Sequence, residues 1–317
     1  MSAGRLLHTG QAIIDMVMRI EAVPEPGSDT FATSHELHTG GGFNVMAAAA
    51  RDGADVVYAG GHGSGPFGDQ VRAAMQEAGV QILSNPHIDQ DTGFSIALVD
   101  DTAERTFISR LGAEGDITAD DYKATHPKAG DIVYVTGYSL LHDSSRSALL
   151  TWLPDLPEGT RLVVDPSPVI GQVPTDVVRT IAGMAEVWST NEREASLVAE
   201  KLGINFEYDL SEKAHSLAAG LGCTVVLRAG AEGAIIASGD QDHDSRGPVE
   251  HIAAHPVQAV DTNGAGDAHC GVLCGQLAQG YGVPEAVRRA NISAALAITR
   301  HGPATAPTRE ELDSATR

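Results

Sequence analysis

The chain has 317 residues, of which 42% are hydrophobic and 20% are charged, a composition that excludes a disordered or coiled-coil protein. Asp and Glu number 42 against 21 for Lys and Arg, so the formal net charge is −21. Surfaces that bind nucleic acid or anionic membranes need a basic face, and this balance argues against both. At this length we expect one large α/β unit or two domains.

Short apolar runs rich in β-branched residues alternate with helix-like segments along the chain. The runs cover residues 6–14, 56–61, 132–137, 162–166, 224–230 and 234–238. Several of the intervening segments end at Gly, which is the residue that a left-handed helix C-cap prefers. This alternation predicts a mostly parallel sheet that is covered by helices on both faces.

Two segments break the alternation, at about residues 15–40 and 92–110. The first has strand-like alternation around a Pro/Gly turn, and the second indicates a hairpin with Asp100 and Asp101 at its tip. Both fit a small β-sheet that projects from the main domain. Such a sheet has open edges and a bare face, so we expect it to cover a ligand, a partner subunit or both. The polar loop 239–251 is expected to be the most mobile segment.

The sequence contains no segment that predicts a membrane or secretory location. No apolar run approaches the ~20 residues that a spanning helix needs, and His8, Gln11 and Asp15 interrupt the start of the chain before a signal-peptide core can form. Three cysteines do not form a disulfide framework. We therefore expect a soluble, cytoplasmic protein.

A glycine motif at residues 63–68 raises a first functional hypothesis. Gly63, Gly65 and Gly68 fit the G-x-G-x-x-G pattern of dinucleotide sites. In such sites, however, the motif opens the first helix after the first strand, whereas here it belongs to a later unit and contains Pro66. A nicotinamide-dependent dehydrogenase is thus a weaker alternative, which NAD binding would reveal.

The strongest functional signal is the segment Asp261-Thr262-Asn263-Gly264-Ala265-Gly266-Asp267. It precedes a helix of small residues, and unpaired amides at a helix N-terminus favour an anion. A carboxylate such as Asp267 beside a phosphate is repelled by it, unless the carboxylate takes the proton of a hydroxyl that attacks the phosphate. The alternative is that Asp267 only completes a first-turn capping pattern. These residues alone favour neither explanation.

The segment 261–267 resembles the D-T-x-G-A-G-D motif of the PfkB (ribokinase-like) carbohydrate kinases. Other family segments follow in the expected order: Gly10 to Asp15, then Gly40-Gly41-Gly42-Phe43-Asn44, and the N-x-x-E string Asn191 to Glu194. The resemblance covers nearly the whole chain. It implies one domain over residues 1–317, with a three-layer α/β/α ribokinase-like fold, a mostly parallel sheet and a small β-sheet lid. It also implies ATP-dependent phosphoryl transfer to a sugar hydroxyl.

The resemblance further implies a role for individual residues. Asp267 would be the general base, and the amides of Gly264, Ala265 and Gly266 would form the anion hole for the γ-phosphoryl group. The sugar would contact Asp15, Gly41, Gly42 and Asn44, although Asn44 is also a candidate helix N-cap. The nucleotide would contact Asn191, Arg228, Gly230, Gly233, Thr262 and Asn291. Glu194 would hold Mg²⁺ through water, and backbone carbonyls near Asp261 and in residues 297–306 are candidates for K⁺.

Several questions stay open at this stage. A nucleoside kinase of the same family and a non-catalytic sugar-binding protein on the same fold are the alternatives to a sugar kinase. Phe43 and Phe107 are the candidates for stacking on a base in the lid region. Met46, Gly65, His269 and Val272 depart from the family pattern, and the sugar is not assigned. A homodimer through the lid follows as a hypothesis from the bare face of the small sheet.

Overall fold

The computed structural model describes residues 3–102, 104–205, 209–239 and 247–316. Residues 240–246 lie outside these ranges, and with them most of the polar loop that was expected to be mobile. The strands are β1 (Arg5–His8), β2 (Ala12–Arg19), β3 (Ser34–Gly41), β4 (Asp55–Tyr58), β5 (Gln81–Ile82), β6 (Phe94–Val99), β7 (Arg105–Arg110), β8 (Ile132–Thr136), β9 (Arg161–Asp165), β10 (Val187–Asn191), β11 (Thr224–Arg228), β12 (Ala234–Ser238) and β13 (Val249–Ile252). The helices are α1 (Gly42–Arg51), α2 (Pro66–Glu77), α3 (Ala119–Lys123), α4 (Gly137–Leu141), α5 (Asp143–Trp152), α6 (Thr175–Ala182), α7 (Glu192–Leu202), α8 (Leu210–Leu221), α9 (Ala265–Ala278), α10 (Val283–Ala297) and α11 (Arg309–Ala315).

The main sheet has nine strands among the described residues, in the order β13-β12-β11-β10-β9-β8-β1-β4-β5. The seven strands from β11 to β5 are parallel, and β12 and β13 add an antiparallel edge. Successive residues of one strand enter opposite layers: Leu6 and Ile132 pack with α1, α9 and α10, whereas Leu7 and Val133 pack with α5 to α8. Both faces of the sheet are thus buried, which explains the continuous apolar runs. The predicted three-layer fold is confirmed.

A second, smaller sheet has the strand order β3-β2-β6-β7. Its strands come from the two segments that break the α/β alternation. The pairs β2–β3 and β6–β7 are antiparallel, whereas β2 and β6 are parallel. Because paired residues share a face, Asp15, His38 and Ser95 point to one side of this sheet, and Met16, Leu37, Ile96 and Ile108 point to the other.

The carboxyl ends of β1, β8, β9 and β11 lie along one edge of the main sheet, as they must when neighbouring strands are parallel. Open α/β sheets bind their ligands at this edge. We therefore expect a ligand-binding site among the loops and helices that follow these strands. None of the helices in the described part of the chain has both the length and the apolar character of a membrane span.

Candidate active site

The segment 261–267 forms a turn that ends in the first turn of α9. Gly264 is the N-cap residue, with φ +77°, and a Cβ there would lie 2.0 Å from the carbonyl oxygen of Pro303. Only glycine fits this position, because it lacks the Cβ and tolerates positive φ. The Asp261 carboxylate holds the turn by accepting hydrogen bonds from the amides of Asn263, at 3.0 Å, and Gly302, at 3.1 Å.

The amides at the start of α9 differ in what they bind. The first i to i−4 bond of the helix joins the Ala268 amide to the Gly264 carbonyl, at 2.9 Å. The amides of Gly266 and Asp267 precede it and have no acceptor within the helix. The Ala265 amide, which was expected to join the anion hole, is directed at the Thr262 carbonyl, at 3.4 Å. The helix N-terminus therefore offers donors to an anion, and Ala265 is the least available of them.

Two segments far apart in sequence meet at Asp267. The Asn44 Nδ2 atom donates a hydrogen bond to Asp267 Oδ2 at 2.9 Å, across 223 residues. Asn44 is the third residue of α1, whose N-cap position is held by Gly41 with φ +61°, so Asn44 does not cap the helix. Its Oδ1 atom is buried and has no hydrogen-bond partner among the described residues. A hydroxyl group of a ligand would satisfy that acceptor.

Asp15 lies on β2, on the face of the small sheet that is turned towards Asp267. Its carboxylate fills the space above Gly40 on β3, where a Cβ would lie 1.8 Å from Asp15 Oδ2. The Gly42 amide donates to the Gln11 carbonyl at 2.7 Å. Gly42 was expected to contact the sugar, but its amide already has this partner. The Gly41 backbone lies close enough to the Asp15 carboxylate to lower its pKa. Glycines here make room for a carboxylate and orient it.

Burial alters the acidity of both carboxylates. It raises the pKa of Asp267 to about 6; the negative charges of Asp165 and Asp15 add to this effect, whereas the Asn44 hydrogen bond and Arg228 oppose it. Burial likewise raises the pKa of Asp15 to about 6, against the opposing effects of His38 and the Gly41 backbone. A carboxylate with a pKa near 6 is still ionised at neutral pH and is a stronger base than an ordinary Asp.

The Asn191-to-Glu194 string forms the N-terminus of α7. Asn191 Oδ1 accepts the Glu194 amide at 2.9 Å, and Glu194 Oε2 accepts the Asn191 amide at 2.9 Å, which together make a capping box. The same Glu194 oxygen binds Arg228 Nη2 at 3.0 Å. Burial and the neighbouring Asp165 raise the pKa of Glu194, and Arg228 opposes this. No cluster of three or more His, Cys, Asp or Glu that could hold a metal occurs among the described residues.

The predicted nucleotide residues line the next part of the same edge. Gly230 and Gly233 flank the turn between β11 and β12, with φ of +57° and +91°. A Cβ at Gly233 would lie 2.1 Å from the Ile252 carbonyl oxygen, so this turn packs directly on the backbone after β13. The Asn291 Nδ2 atom donates to the carbonyls of Ile252 and Ala253, at 3.0 and 3.1 Å. Asn291 thus fastens this backbone, while Thr262 is exposed.

Three further residues lie in this region that the motifs did not indicate. Asp165, the last residue of β9, binds Arg228; Tyr138 follows β8 and is 44% exposed; Arg105 of β7 lies 3.9 Å from Asp261. Burial raises the pKa of Tyr138, and the charge of Asp267 is the next contribution, which places the phenol beside the site. The available signal was the position of Asp165 near the end of the predicted run 162–166 and of Tyr138 directly after the run 132–137. For Arg105 there was none.

The four departures from the family pattern have different surroundings. Met46 and Val272 are fully buried in the hydrophobic core, so they fill volume behind the site. His269 is also buried, and neither ring nitrogen has a partner among the described residues. At Gly65, a Cβ would lie 2.4 Å from the carboxyl carbon of Asp91, and the Asp91 carboxylate accepts the first amides of α2. A carboxylate from a different loop therefore occupies this place.

Comparison with known proteins shows the family and the fold to which the chain is similar. The model of the family described as pfkB family carbohydrate kinase matches residues 4–310. The chain is 30% identical over 311 residues to the uncharacterized sugar kinase YegV of Escherichia coli K12, covering 97% of this chain and 92% of that protein. Ribokinase from Thermotoga maritima has a TM-score of 0.81 at 20% identity, and Arabidopsis thaliana ribokinase complexed with ribose and ATP has 0.78 at 20% identity; each alignment covers 99% of both chains.

Proposed function

Because the chain belongs to the pfkB family of carbohydrate kinases, we propose that it transfers the γ-phosphoryl group of ATP to a hydroxyl group of a sugar. The observation that carries this proposal is the pairing of Asn44 with Asp267 at the first turn of α9. It brings a basic carboxylate, a free carbonyl acceptor for a ligand hydroxyl and unpaired helix amides to one place. The complex of Arabidopsis ribokinase with ribose and ATP supports both kinds of substrate.

In the proposed reaction Asp267 is the general base. The carboxylate takes the proton of the acceptor hydroxyl as the oxygen attacks the γ-phosphorus, the bond to the bridging oxygen breaks, and ADP leaves. The amides of Gly264 and Gly266, and to a lesser extent that of Ala265, stabilise the charge on the transferring group. Removing one donor of this kind typically costs about 10²–10³ in rate. The proton goes to Asp267 because its pKa of about 6 leaves it ionised at neutral pH.

On the acceptor side, Asp15 and Asn44 orient the sugar. The Asp15 carboxylate only accepts hydrogen bonds, whereas Asn44 donates to Asp267 and leaves Oδ1 as an acceptor, which suits a polyol. Asp15, Asp267 and Asp165 make the pocket negative, although His38 near Asp15 opposes the rise in the pKa of that carboxylate. This charge favours an uncharged sugar over a sugar that already carries a phosphate.

The divalent ion fits the residues present. The Glu194 carboxylate, which lies on Arg228, is a hard oxygen donor. Mg²⁺ is usually held by one or two carboxylates together with substrate phosphates and water. Glu194 would hold the ion through water, with Asn191 nearby. The bound ion would neutralise charge on the phosphates during transfer.

The monovalent ion also has candidate ligands. Thr305 Oγ1 lies 3.0 Å from the Ala297 carbonyl oxygen and 3.3 Å from the Gly302 carbonyl oxygen, and the Gly302 amide binds Asp261. Several oxygen atoms thus meet behind the turn 261–264. We propose that K⁺ binds here and supports the position of the anion hole.

The small sheet is proposed to act as a lid over the acceptor and as a dimer surface. Its inner face carries Asp15, and lid closure would exclude water from the reaction. Its outer face carries Leu37 and Ile108, which are 40% and 57% exposed. A second copy of the chain would bury this apolar face. Light scattering tests the dimer: we expect Ile108→Glu to give monomers, and a monomeric wild-type protein at micromolar concentration would contradict the proposal.

The proposed function is tested by measuring ATP consumption with a panel of sugars and nucleosides, and by mass spectrometry of the products. A phosphorylated sugar supports the proposal. Turnover with nucleosides alone would support the nucleoside kinase. Of the two aromatic residues predicted to stack on a base, Phe107 is exposed, whereas Phe43 is buried in the core and is not available; Tyr138 is a further exposed aromatic residue. Sugar binding without ATP consumption would indicate a non-catalytic binding protein, and NAD binding would indicate a dehydrogenase.

A further inference from the structure

Asp165 has no role in the function proposed so far beyond its charge, yet both of its carboxylate oxygens are engaged. Oδ1 accepts the Ser167 amide at 2.8 Å and the Ser167 hydroxyl at 3.3 Å, in a turn where Ser167 has φ +55°. Oδ2 accepts Arg228 Nη1 at 3.3 Å and the thiol of Cys270 at 3.2 Å. The side chain is 12% exposed. Asp165 therefore ties the end of β9 to β11 and α9.

Arg228 is held from two sides in this arrangement. Nη1 faces Asp165 and Nη2 binds Glu194 at 3.0 Å, while Glu194 is itself fixed by the capping box of α7. Nη1 also donates to Cys270 Sγ at 2.9 Å and to the Gly266 carbonyl at 3.4 Å. The guanidinium, which is 12% exposed, thus lies against the first turn of α9, next to the residue that precedes Asp267.

A fixed cation at this position offsets negative charge around the site. The chain carries a net charge of −21, and the acceptor side of the site is itself acidic. A long arginine side chain with a single partner can adopt many rotamers, whereas one bound by two separate carboxylates keeps one orientation. A buried charge without a partner is strongly destabilising, which favours retention of the pairs. Asp165 is therefore the second carboxylate that binds Arg228, in addition to Glu194.

We propose that Asp165 is a positioning residue for phosphoryl transfer, which acts by holding the Arg228 guanidinium against the first turn of α9, where the proposed function puts the phosphate groups. The proposal rests on that function for the location of the phosphates. It differs from a purely structural role because it predicts an effect on nucleotide affinity that a buried ion pair elsewhere in the sheet does not have.

Asp165 also affects the proposed base. The groups that face Asp267 are Asn44 from α1, Asp15 from β2, Asp165 from β9, Arg228 from β11 and the phenol of Tyr138 from α4. The negative charges of Asp165 and Asp15 raise the pKa of Asp267, and Arg228 and the Asn44 hydrogen bond lower it. Neutralising Asp165 therefore makes Asp267 more acidic.

The test compares Asp165→Asn with the matched control Asp131→Asn. Asp131 is also a buried carboxylate paired with an arginine, Arg5, at 2.6 Å, but it lies just before β8, at the opposite edge of the same sheet. Each variant loses one buried Asp–Arg pair, so both should lose stability. In Asp165→Asn we expect the Kd for a non-hydrolysable ATP analogue and the KM for ATP to rise about tenfold, with the KM for the sugar unchanged within about twofold. The acid limb of the pH profile of kcat, where turnover falls as Asp267 becomes protonated, should move to lower pH.

The proposal is overturned if Asp165→Asn binds the ATP analogue as tightly as Asp131→Asn does, with the same acid limb. If Asp165→Asn does not fold, Asp165→Glu is used, which keeps the charge: the acid limb should stay at the wild-type pH while the Kd for the analogue rises, and an unchanged Kd would overturn the proposal. Absence of turnover in the wild type would reject the proposed kinase function, but the analogue-binding comparison still decides the role of Asp165.

Discussion

Replacing Asp267 with Asn should have opposite effects on catalysis and on the stability of the fold. The substitution keeps the size of the side chain, and its amide oxygen can still accept the hydrogen bond from Asn44 Nδ2, which is 2.9 Å from Asp267 Oδ2. It removes the general base, so we expect kcat to fall by about 10²–10⁴ while the affinity for nucleotide stays close to that of the wild type. Calorimetric titration with ADP measures that affinity.

The same substitution should make the protein more stable at neutral pH. The pKa of Asp267 rises from 3.8 to about 6 on folding, so the folded state binds a proton more readily than the unfolded state does. Well above pH 6 both states are ionised and the buried charge costs roughly 1–3 kcal/mol, whereas the cost shrinks as the pH falls from 6 towards 4 and disappears well below pH 4, where both states are protonated. We expect Asp267→Asn to exceed the wild type in the free energy of unfolding by roughly that amount at pH 7.5.

Both effects can be measured on one preparation. Turnover is followed by ADP release with the sugar that the panel identifies, from pH 5 to 8, and stability is followed by urea unfolding at pH 4 and pH 7.5. Wild-type turnover should be about tenfold lower at pH 5 than at its plateau, because only about a tenth of the carboxylate is then ionised. Near-wild-type turnover of Asp267→Asn would reject the assignment of the base. A variant that is less stable than the wild type at pH 7.5 would reject the electrostatic argument.

Three further substitutions test neighbouring parts of the site. Asn44→Ala removes a charge-assisted hydrogen bond, so kcat should fall about tenfold and the acid limb should move to higher pH; a limb that stays in place would contradict the coupling of Asn44 to Asp267. Gly264→Ala puts a Cβ 2.0 Å from a carbonyl oxygen at φ +77° and should lower the free energy of unfolding in urea by about 3 kcal/mol or more. The control Gly222→Ala, at φ +70° with open space around the new Cβ, should lower it by about 1–2 kcal/mol. Equal losses in the two variants would refute the steric argument. Arg105→Gln removes a half-exposed ion pair of 3.9 Å with Asp261. Because salt screens such a pair, turnover of the wild type should fall about twofold at high salt, whereas turnover of the variant should not depend on salt. The same salt response in both proteins would show that the pair does not contribute.

The capping box formed by Asn191 and Glu194 combines a structural role with a proposed ligand-binding role. Asn191 and Glu194 resemble a family string that lies near phosphates and Mg²⁺, and in the structure the same two side chains close the N-terminus of α7. The spacing Asn-x-x-Glu predicts such a box by itself, because both side chains reach the amides of the first helical turn. Fixing Glu194 in this way also fixes the partner of Arg228. The structural role and the proposed ligand role are therefore compatible.

Interactions within one turn of chain were accessible from the sequence. Alternating apolar runs and helix-like segments determined the α/β class, because periodicity reports which face of an element is buried. The small residues of the segment 261–267 determined a helix N-terminus that a ligand can approach, since the free amides and the positive φ belong to the local backbone. These features depend on neighbouring residues only.

The tertiary structure alone decided which charged groups share a site. Asn44 meets Asp267 across 223 residues, and Asp165 meets Arg228 across 63, through the order of parallel strands and the packing of α1 against α9. Pairings of this kind, and the burial that raises the pKa of Asp267, depend on distances between segments that no local pattern encodes. The same long-range packing engages the Gly42 amide with Gln11 and leaves an acceptor on Asn44 open. Sequence thus determined the helix start at residues 264–267, and folding determined the electrostatic surroundings in which its carboxylate acts.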